Sequence, residues 1–314
     1  MTAYLVTGGA GFIGSHIVEE LVRRGERVRV LDNFQTGKRE NLAPFLKSIE
    51  LAEADIRDRD ACRDAVRGMD VVLHQAALAS VPRSVKDPLQ SHEVNVTGTL
   101  NLLDAARQEG VRRFVFASSS SVYGDDPGLP KVEGREGRTL SPYAVNKAAC
   151  ERYCQVFHLV YGLETVCLRY FNIFGPRQDP FSQYAAVVPL FIRSYLEGRA
   201  PVIFGDGEQS RDFTYVTNVV QANLLAAEAP AAPGQVYNIG CGERTTVGLL
   251  AGLIGDILGS SLRPAHEPVR AGDVRHSLAD ISKARKELDY TPRIGFREGL
   301  ERTVRWHQDK ERSA

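Results

Sequence analysis

Ala3-Tyr4-Leu5-Val6-Thr7-Gly8-Gly9-Ala10-Gly11-Phe12-Ile13-Gly14 decides the fold of this chain. Residues 3–7 are a short apolar run, which reads as a buried strand. The glycine loop follows, and a helical pattern then runs through Arg24. Gly8, Gly11 and Gly14 lie three residues apart, a slight variant of the commoner Gly-x-Gly-x-x-Gly. The physics is shared. Glycine permits a tight turn and close backbone approach, and the helix N-terminus offers unpaired N–H groups to a pyrophosphate. Strand before and helix after is the context such a dinucleotide loop requires. Phe12 and Ile13 stand inside the loop and count with the glycines as candidate cofactor contacts.

The next strand, Arg27 to Leu31, ends in Asp32-Asn33. A carboxylate here can accept hydrogen bonds from both hydroxyls of an adenosine ribose and would repel a 2′-phosphate. No arginine follows directly, so these residues favour NAD over NADP. A plainer reading, that Asp32 merely ends a strand, is outweighed by the glycine loop 24 residues earlier. Asp55 and Ile56 end another strand and are placed to touch adenine. Val71 to Ala77 runs from an apolar strand into small residues, and Ala76 and Ala77 let backbone lie close to a cofactor. His74 at that strand end reads as structural. Phe114 to Ala117 is the next strand, with Ser118 to Ser121 at its carboxyl end, where open parallel sheets bind ligands.

Strands alternate with helical patterns to about residue 170, which predicts an α/β fold with a Rossmann-type doubly wound parallel sheet. Leu100 to Arg107 is a helix and Gly110 its stop. Past Asn172 the rhythm breaks, and residues 172–185 read as loop. The expected organisation is an NAD-binding domain over 1–170 and a smaller, discontinuous α/β substrate domain over 171–314. Residues 212–216 and 236–239 are expected to return the chain to the main sheet.

Lysine plus arginine equals aspartate plus glutamate, 39 each, so bulk charge gives no support for nucleic-acid or membrane partners. No apolar run approaches the ~20 residues that span a bilayer, and the first strand already belongs to the fold, which argues against a leader. The five cysteines show no metal spacing, and no metal site is expected. They read as reduced thiols of a cytoplasmic protein.

Ser141-Pro142-Tyr143-Ala144-Val145-Asn146-Lys147 supplies the chemistry. Ser141 suits an N-cap and Pro142 the first helical position. A spacing of four puts Tyr143 and Lys147 on one helix face. An ammonium beside a phenol favours the phenolate, so Lys147 is expected to lower the Tyr143 pKa and make it a usable base.

These stretches resemble the extended short-chain dehydrogenase/reductases, and among them the nucleotide-sugar 4-epimerases of the UDP-N-acetylglucosamine type. The resemblance covers nearly the whole chain. Besides the glycine loop and the Tyr143 helix, it rests on Ser118-Ser119-Ser120-Ser121-Val122-Tyr123-Gly124-Asp125 and Leu168-Arg169-Tyr170-Phe171-Asn172. It also rests on Gly205-Asp206-Gly207, Ser210-Arg211-Asp212-Phe213 and Ala271-Gly272-Asp273-Val274-Arg275. The resemblance implies that Tyr143 is the base, that Lys147 holds the nicotinamide ribose, and that Ser119 hydrogen-bonds the reacting oxygen. Choosing Ser119 over Ser118 or Ser120 rests on alignment to Val122-Tyr123-Gly124. Asn95 matches an asparagine that supports the site. Asn172 matches a diphosphate contact, and Phe204, Arg211, Arg270 and Asp273 match uridine and diphosphate contacts. Surface ion pairs for the charged residues, and core packing for Phe204, are the plainer readings.

The activity so implied is 4-epimerisation of UDP-hexoses through a transient 4-keto sugar, with NAD kept bound. In related 4,6-dehydratases an Asp-Glu pair stands before Val-Tyr-Gly, and decarboxylases carry a glutamate there. This chain has Ser120-Ser121. A UDP-glucuronate 4-epimerase needs the same Tyr, Lys and Ser and stays open, as does a non-catalytic NAD-binding regulator. For the sugar, Ala79, Ser80, Ala186, Val188 and Ser277 are the pocket candidates. Ser277 stands where galactose-restricted relatives carry tyrosine, which leaves room for an N-acetyl group, unless it is an ordinary turn residue. A small residue admits the larger sugar without excluding the smaller. Relatives commonly dimerise through helices matching residues 92–108 and 143–161, so a homodimer is expected.

Overall fold

The computed structural model describes residues 1–181, 186–269 and 274–312. Its centre is one seven-stranded sheet. The first half supplies β1 (Ala3–Thr7), α1 (Phe12–Arg23), β2 (Arg27–Asp32), β3 (Ile49–Glu53), α2 (Arg59–Val66) and β4 (Val71–His74). Then come α3 (Val81–Lys86), α4 (Pro88–His92), a π-helical turn at Glu93–Thr97 and α5 (Gly98–Gln108). After β5 (Arg113–Ser119), α6 (Pro142–Tyr161) and β6 (Glu164–Tyr170) the elements shorten: β7 (Ile173–Phe174), α7 (Val187–Leu196), β8 (Val202–Phe204), β9 (Ser210–Arg211), β10 (Thr214–Tyr215) and α8 (Val216–Glu228). The last part holds β11 (Val236–Ile239), β12 (Thr245–Thr246), α9 (Val247–Leu258), β13 (Ala265–Glu267), α10 (Ser282–Leu288) and α11 (Phe296–Arg312).

The order across the sheet is β11-β6-β5-β4-β1-β2-β3, and every pair in it is parallel. The chain winds outward from β1 through β2 to β3, then crosses to β4 on the other side of β1. The carboxyl ends of β1 and β4 therefore flank the switch point, where such sheets bind ligands. Side-chain alternation sorts the core. Val6, Val28, Val71 and Leu73 face α1, α8 and α10. Leu5, Leu31, Val72, Phe114 and Phe116 face α2, α5 and α6. A third apolar cluster binds α7, α9 and α11 to one another. Each fully buried large side chain adds about 1.5–3 kcal/mol.

Val236–Ile239 lies beside β6 at the sheet edge. Thr214 and Tyr215 do not reach the main sheet; they pair with Ile173 and Phe174. Asp55 and Ile56 stand beyond the end of β3, in the turn before α2. The helix expected over 92–108 is interrupted by the π turn at Glu93–Thr97.

Candidate active site

The glycine loop is built by contact with β4. Gly8 has φ +66, and a Cβ there would stand 2.7 Å from the Ala76 amide nitrogen. A Cβ on Gly14 would stand 2.1 Å from the Gly8 carbonyl oxygen. Only bare backbone fits at both places, which leaves the start of α1 open to an anion. Gly11 caps α1 without a side-chain hydrogen bond, so the first amides of the helix point into the cleft unpaired by any side chain. The cleft has a cavity of about 260 Å³ and is lined by Gly8, Gly11, Phe12, Ile13, Gly14, Asp32, Asn33, Asp55, Ile56, Ala76, Ala77, Ala79, Tyr143 and Lys147.

Asp32 lies against this cleft with one oxygen accepting from Ala10 N (2.9 Å) and the other from Phe34 N (2.8 Å). Each oxygen keeps lone pairs for a ribose hydroxyl. Burial pushes its carboxyl above the usual range. Gly37 packs on the carboxylate, since a Cβ there would come 2.9 Å from Oδ1. Among the described residues, the one cation lining the cleft is Lys147. The nearby Lys38 and Arg39 are paired with Asp179 and Glu53. Among the described residues a 2′-phosphate finds no unpaired cation lining this end, and NAD fits the cradle.

At the opposite end of the cleft, Ser141 caps α6 by accepting from Ala144 N (3.2 Å). Tyr143 is 9% exposed and Lys147 3%. Lys147 Nζ donates to Ala117 O at 2.6 Å and lies 4.6 Å from the Phe116 ring centre. It stands 5.8 Å from the Tyr143 ring centre, over the face of the ring. The expected lowering of the phenol by Lys147 is therefore corrected. Burial pushes Tyr143 up to about 12, and the neighbouring Ser119 hydroxyl pulls the other way. Burial also lowers Lys147 to about 8. Ser119 closes β5, and its Oγ also accepts from Ser121 N at 3.2 Å. Ser118 faces the cleft but is committed to Glu151 Oε1 at 2.5 Å, and Glu151 is paired with the buried Arg169.

His74 is structural and neutral, lowered to about 3 by burial and then by the Lys147 charge. Thr99 Oγ1 donates to Asn95 O (2.6 Å), so it must accept from His74 Nε2 (2.9 Å). That leaves Nδ1 to accept from Thr7 Oγ1 at 2.6 Å. Asn95 does not line the cleft. Its amide is spent on Leu78 N (2.8 Å), Leu78 O (3.3 Å) and Ser91 Oγ (3.2 Å), so it holds the loop that does. Ser80 is likewise an N-cap, accepting from Arg83 N at 3.2 Å, while its neighbour Ala79 lines the wall.

A second cavity of about 280 Å³ is lined by Asn172, Ala186, Val188, Phe204 and Arg211, with Gln209 and Phe213. Tyr170 lines the first cavity and Asn172, two residues on, the second. Asn172 has φ +40 and its Nδ2 donates to Asp212 O at 3.2 Å. Arg211 Nη1 donates to Ser210 O (2.9 Å) and Arg275 O (3.1 Å). Ser277 lines neither cavity. Its N donates to Ser210 O at 3.0 Å. Arg270 and Asp273 lie outside the described residues. Sequence reasoning did not single out Gln75, Leu78, Ser118 or Tyr170 as contacts of the first cavity, although the strand-end serines pointed toward Ser118 and the Leu168–Asn172 motif toward Tyr170. Among the described residues no cluster of His, Cys, Asp and Glu could hold a metal.

Relatives share this architecture. A putative UDP-glucose 4-epimerase of Methanocaldococcus jannaschii is 40% identical over 98% of this chain and 99% of its own. The structure of a UDP-N-acetylglucosamine 4-epimerase from Methanobrevibacter ruminantium, in complex with UDP-N-acetylmuramic acid, superposes with a TM-score of 0.94 at 43% identity, covering 98% of this chain and 99% of that one. A Thermus thermophilus UDP-glucose 4-epimerase in complex with NAD gives 0.88 at 41% identity, covering 97% and 98%. The sequence pattern of one family matches residues 4–240, more than half of the molecule, and the chain belongs to that family, the NAD dependent epimerases/dehydratases.

Proposed function

We propose that this chain is a UDP-hexose 4-epimerase, interconverting UDP-N-acetylglucosamine with UDP-N-acetylgalactosamine and UDP-glucose with UDP-galactose. One observation carries the reading. A buried tyrosine, with the Ser119 hydroxyl as its neighbour and Lys147 over its ring, stands in the wall of the NAD cleft, and Asn172, two residues from Tyr170 of that wall, lines a second cavity with Phe204 and Arg211.

NAD⁺, when bound, supplies an acceptor that takes hydride from carbon-4 and returns it to the opposite face. The protein supplies the rest. Gly8, Gly11 and Gly14 accommodate the pyrophosphate, and Asp32 takes the adenosine ribose. Lys147 donates to the nicotinamide ribose while its charge lies over the Tyr143 ring. Tyr143 removes the 4′-hydroxyl proton, and Ser119 hydrogen-bonds the same oxygen as it becomes a carbonyl. The phenol, held near 12 without cofactor, needs a neighbouring positive charge to act as base near neutral pH. Arg211 and Asn172 anchor the UDP end, with Phe204 against the base, so the sugar alone is free to turn. Arg270 and Asp273 are assigned to the same UDP-sugar contacts; Ser277, which lines neither cavity, is not.

The acids on the NAD cleft are Asp32 and Asp55, both beside β2 and β3, and Glu151 is spent on Arg169 and Ser118. Among the described residues that line the two cavities no further carboxyl stands, which favours epimerisation over dehydration. We assign residues 1–170, with β11, to the NAD-binding domain and 171–314 mainly to the substrate domain. The protein is further proposed to be a cytoplasmic homodimer. Support for the dimer comes from Val145, Val156 and Val160, about half or more exposed on one face of α6, with Leu89 of α4 77% exposed. Support for the compartment is five free, buried cysteines, and no described helix is long and apolar enough to cross a membrane.

The test is direct. Purified protein is incubated separately with UDP-N-acetylglucosamine and UDP-glucose, with no reductant, and the anomeric protons are followed by NMR. Appearance of the galacto epimer supports the reading. If neither sugar changes, the reading fails and UDP-glucuronate becomes the next substrate.

A further inference from the structure

The first turn of α6 has an unusual account of its backbone donors. Four N–H groups at a helix start lack a partner within the helix: that of the cap residue and the three that follow it. Among those three, Pro142 has none to satisfy, and Ser141 Oγ takes Ala144 N. That leaves Tyr143 N, buried and unserved by its own helix. Ser84 Oγ, from α3, accepts it at 3.0 Å.

Ser84 is 1% exposed, so no water competes for either group. Its own hydroxyl proton is committed, because Oγ donates to Val81 O at 2.7 Å. The lone pair is thereby aimed at Tyr143 N rather than free to rotate. The element that carries Ser84 is itself anchored. Ser80 caps the start of α3, Asn95 clamps Leu78 just before it, and Ala79 between them lines the NAD cleft. One helical turn further along, Ser91 of α4 accepts from Asn146 of α6 at 3.0 Å. The catalytic helix is therefore registered against the cleft wall by two serines, and one of them grips the backbone of the tyrosine.

We infer that Ser84 is a positioning residue for Tyr143: its hydroxyl fixes the start of α6 so that the phenol meets Ser119 and the substrate oxygen. This rests on Tyr143 being the base of the proposed reaction. A shift of a few tenths of an ångström at that backbone lengthens the contact between phenol and Ser119, and rates are sensitive to such displacement.

The test compares wild type with Ser84→Ala and Ser84→Thr as full-length protein with NAD present. Ser84→Ala lowers kcat for UDP-glucose 10- to 100-fold, leaves KM within threefold, and moves the alkaline-favoured limb of the pH–kcat profile to higher pH. Ser84→Thr, which keeps the hydroxyl, recovers most of kcat. A second readout needs no turnover: NMR of ring-labelled tyrosine, with the Tyr143 signal identified by its loss in Tyr143→Phe, together with amide exchange over residues 141–150. In Ser84→Ala the Tyr143 ring signal moves and its amide exchanges at least tenfold faster. If wild type converts no UDP-sugar, the epimerase reading fails, and this second readout alone decides the placement role of Ser84. An unchanged Tyr143 ring signal and amide overturn the inference. So does a folded Ser84→Ala enzyme with wild-type kcat, or one whose loss lies in KM alone.

Discussion

Tyr143 and Lys147 share a helix face, yet the ammonium sits over the ring and bonds Ala117 O instead of approaching the hydroxyl. The spacing of four was legible in the sequence; the consequence was not. Local geometry puts the lysine beside the phenol, whereas burial, a product of tertiary packing, sets the direction of both pKa shifts. Tyr143→Phe removes the base and keeps the ring, so turnover falls by at least about a thousandfold. UDP binding measured by calorimetry stays within threefold. Wild-type activity in that variant removes Tyr143 from the mechanism. Other roles were hidden for the same reason. Asn95 spends its amide on Leu78, 17 residues away, and Ser84 reaches Tyr143 across 59. Ser80 could have been read as a cap, since a serine before Val81-Pro82 opens a helix by the same logic as Ser141-Pro142.

The elements show where pattern suffices. β1, the glycine loop, α1 and the acid ending β2 follow from apolar periodicity and from backbone that tolerates no side chain. Gly14→Ala is expected to lose bound NAD, because its Cβ would stand 2.1 Å from the Gly8 carbonyl oxygen, backbone that cannot swing away. The absorbance of released cofactor after denaturation checks this, and a normal NAD content contradicts it. β10 shows where pattern fails. Two residues cannot encode whether they join the large sheet or pair with Ile173 and Phe174, as they do. α6 carries apolar residues on more than one face, so its sequence does not say which face the core uses. Tyr143, Lys147, Cys150, Cys154 and Phe157 turn inward, leaving Val156 and Val160 outside. Val156→Asp with Val160→Asp places charge on that exposed face and should convert a dimer to a monomer by light scattering, with far-UV circular dichroism unchanged. A dimer that persists would assign association to another surface.

At the scale of the molecule, buried titrating groups set the pH dependence of stability. Burial lowers His74 to about 3, His16 to about 4 and His307 to about 4 from an ordinary 6.5. Their folded pKa values lie below the unfolded ones, so the unfolded chain binds more protons between pH 6.5 and 4. Stability present at pH 7 is lost as pH falls through that window. Asp212 opposes this. Burial holds it near 6, above its ordinary 3.8, so its contribution is present at low pH and lost as pH rises through 6. Three histidines against one carboxyl leave a net loss on the order of 4 kcal/mol between pH 7 and 5. Urea unfolding at the two pH values measures it, and equal stability at both would show that these histidines are solvated. The central claim concerns the reaction itself, and carbon-4 reports on it most directly. UDP-glucose carrying deuterium at carbon-4 is converted by the purified protein, and the UDP-galactose formed is examined by NMR and mass spectrometry. Transient oxidation with return of the same hydride predicts that the deuterium remains at carbon-4 of the product. Its exchange for solvent hydrogen would contradict the account.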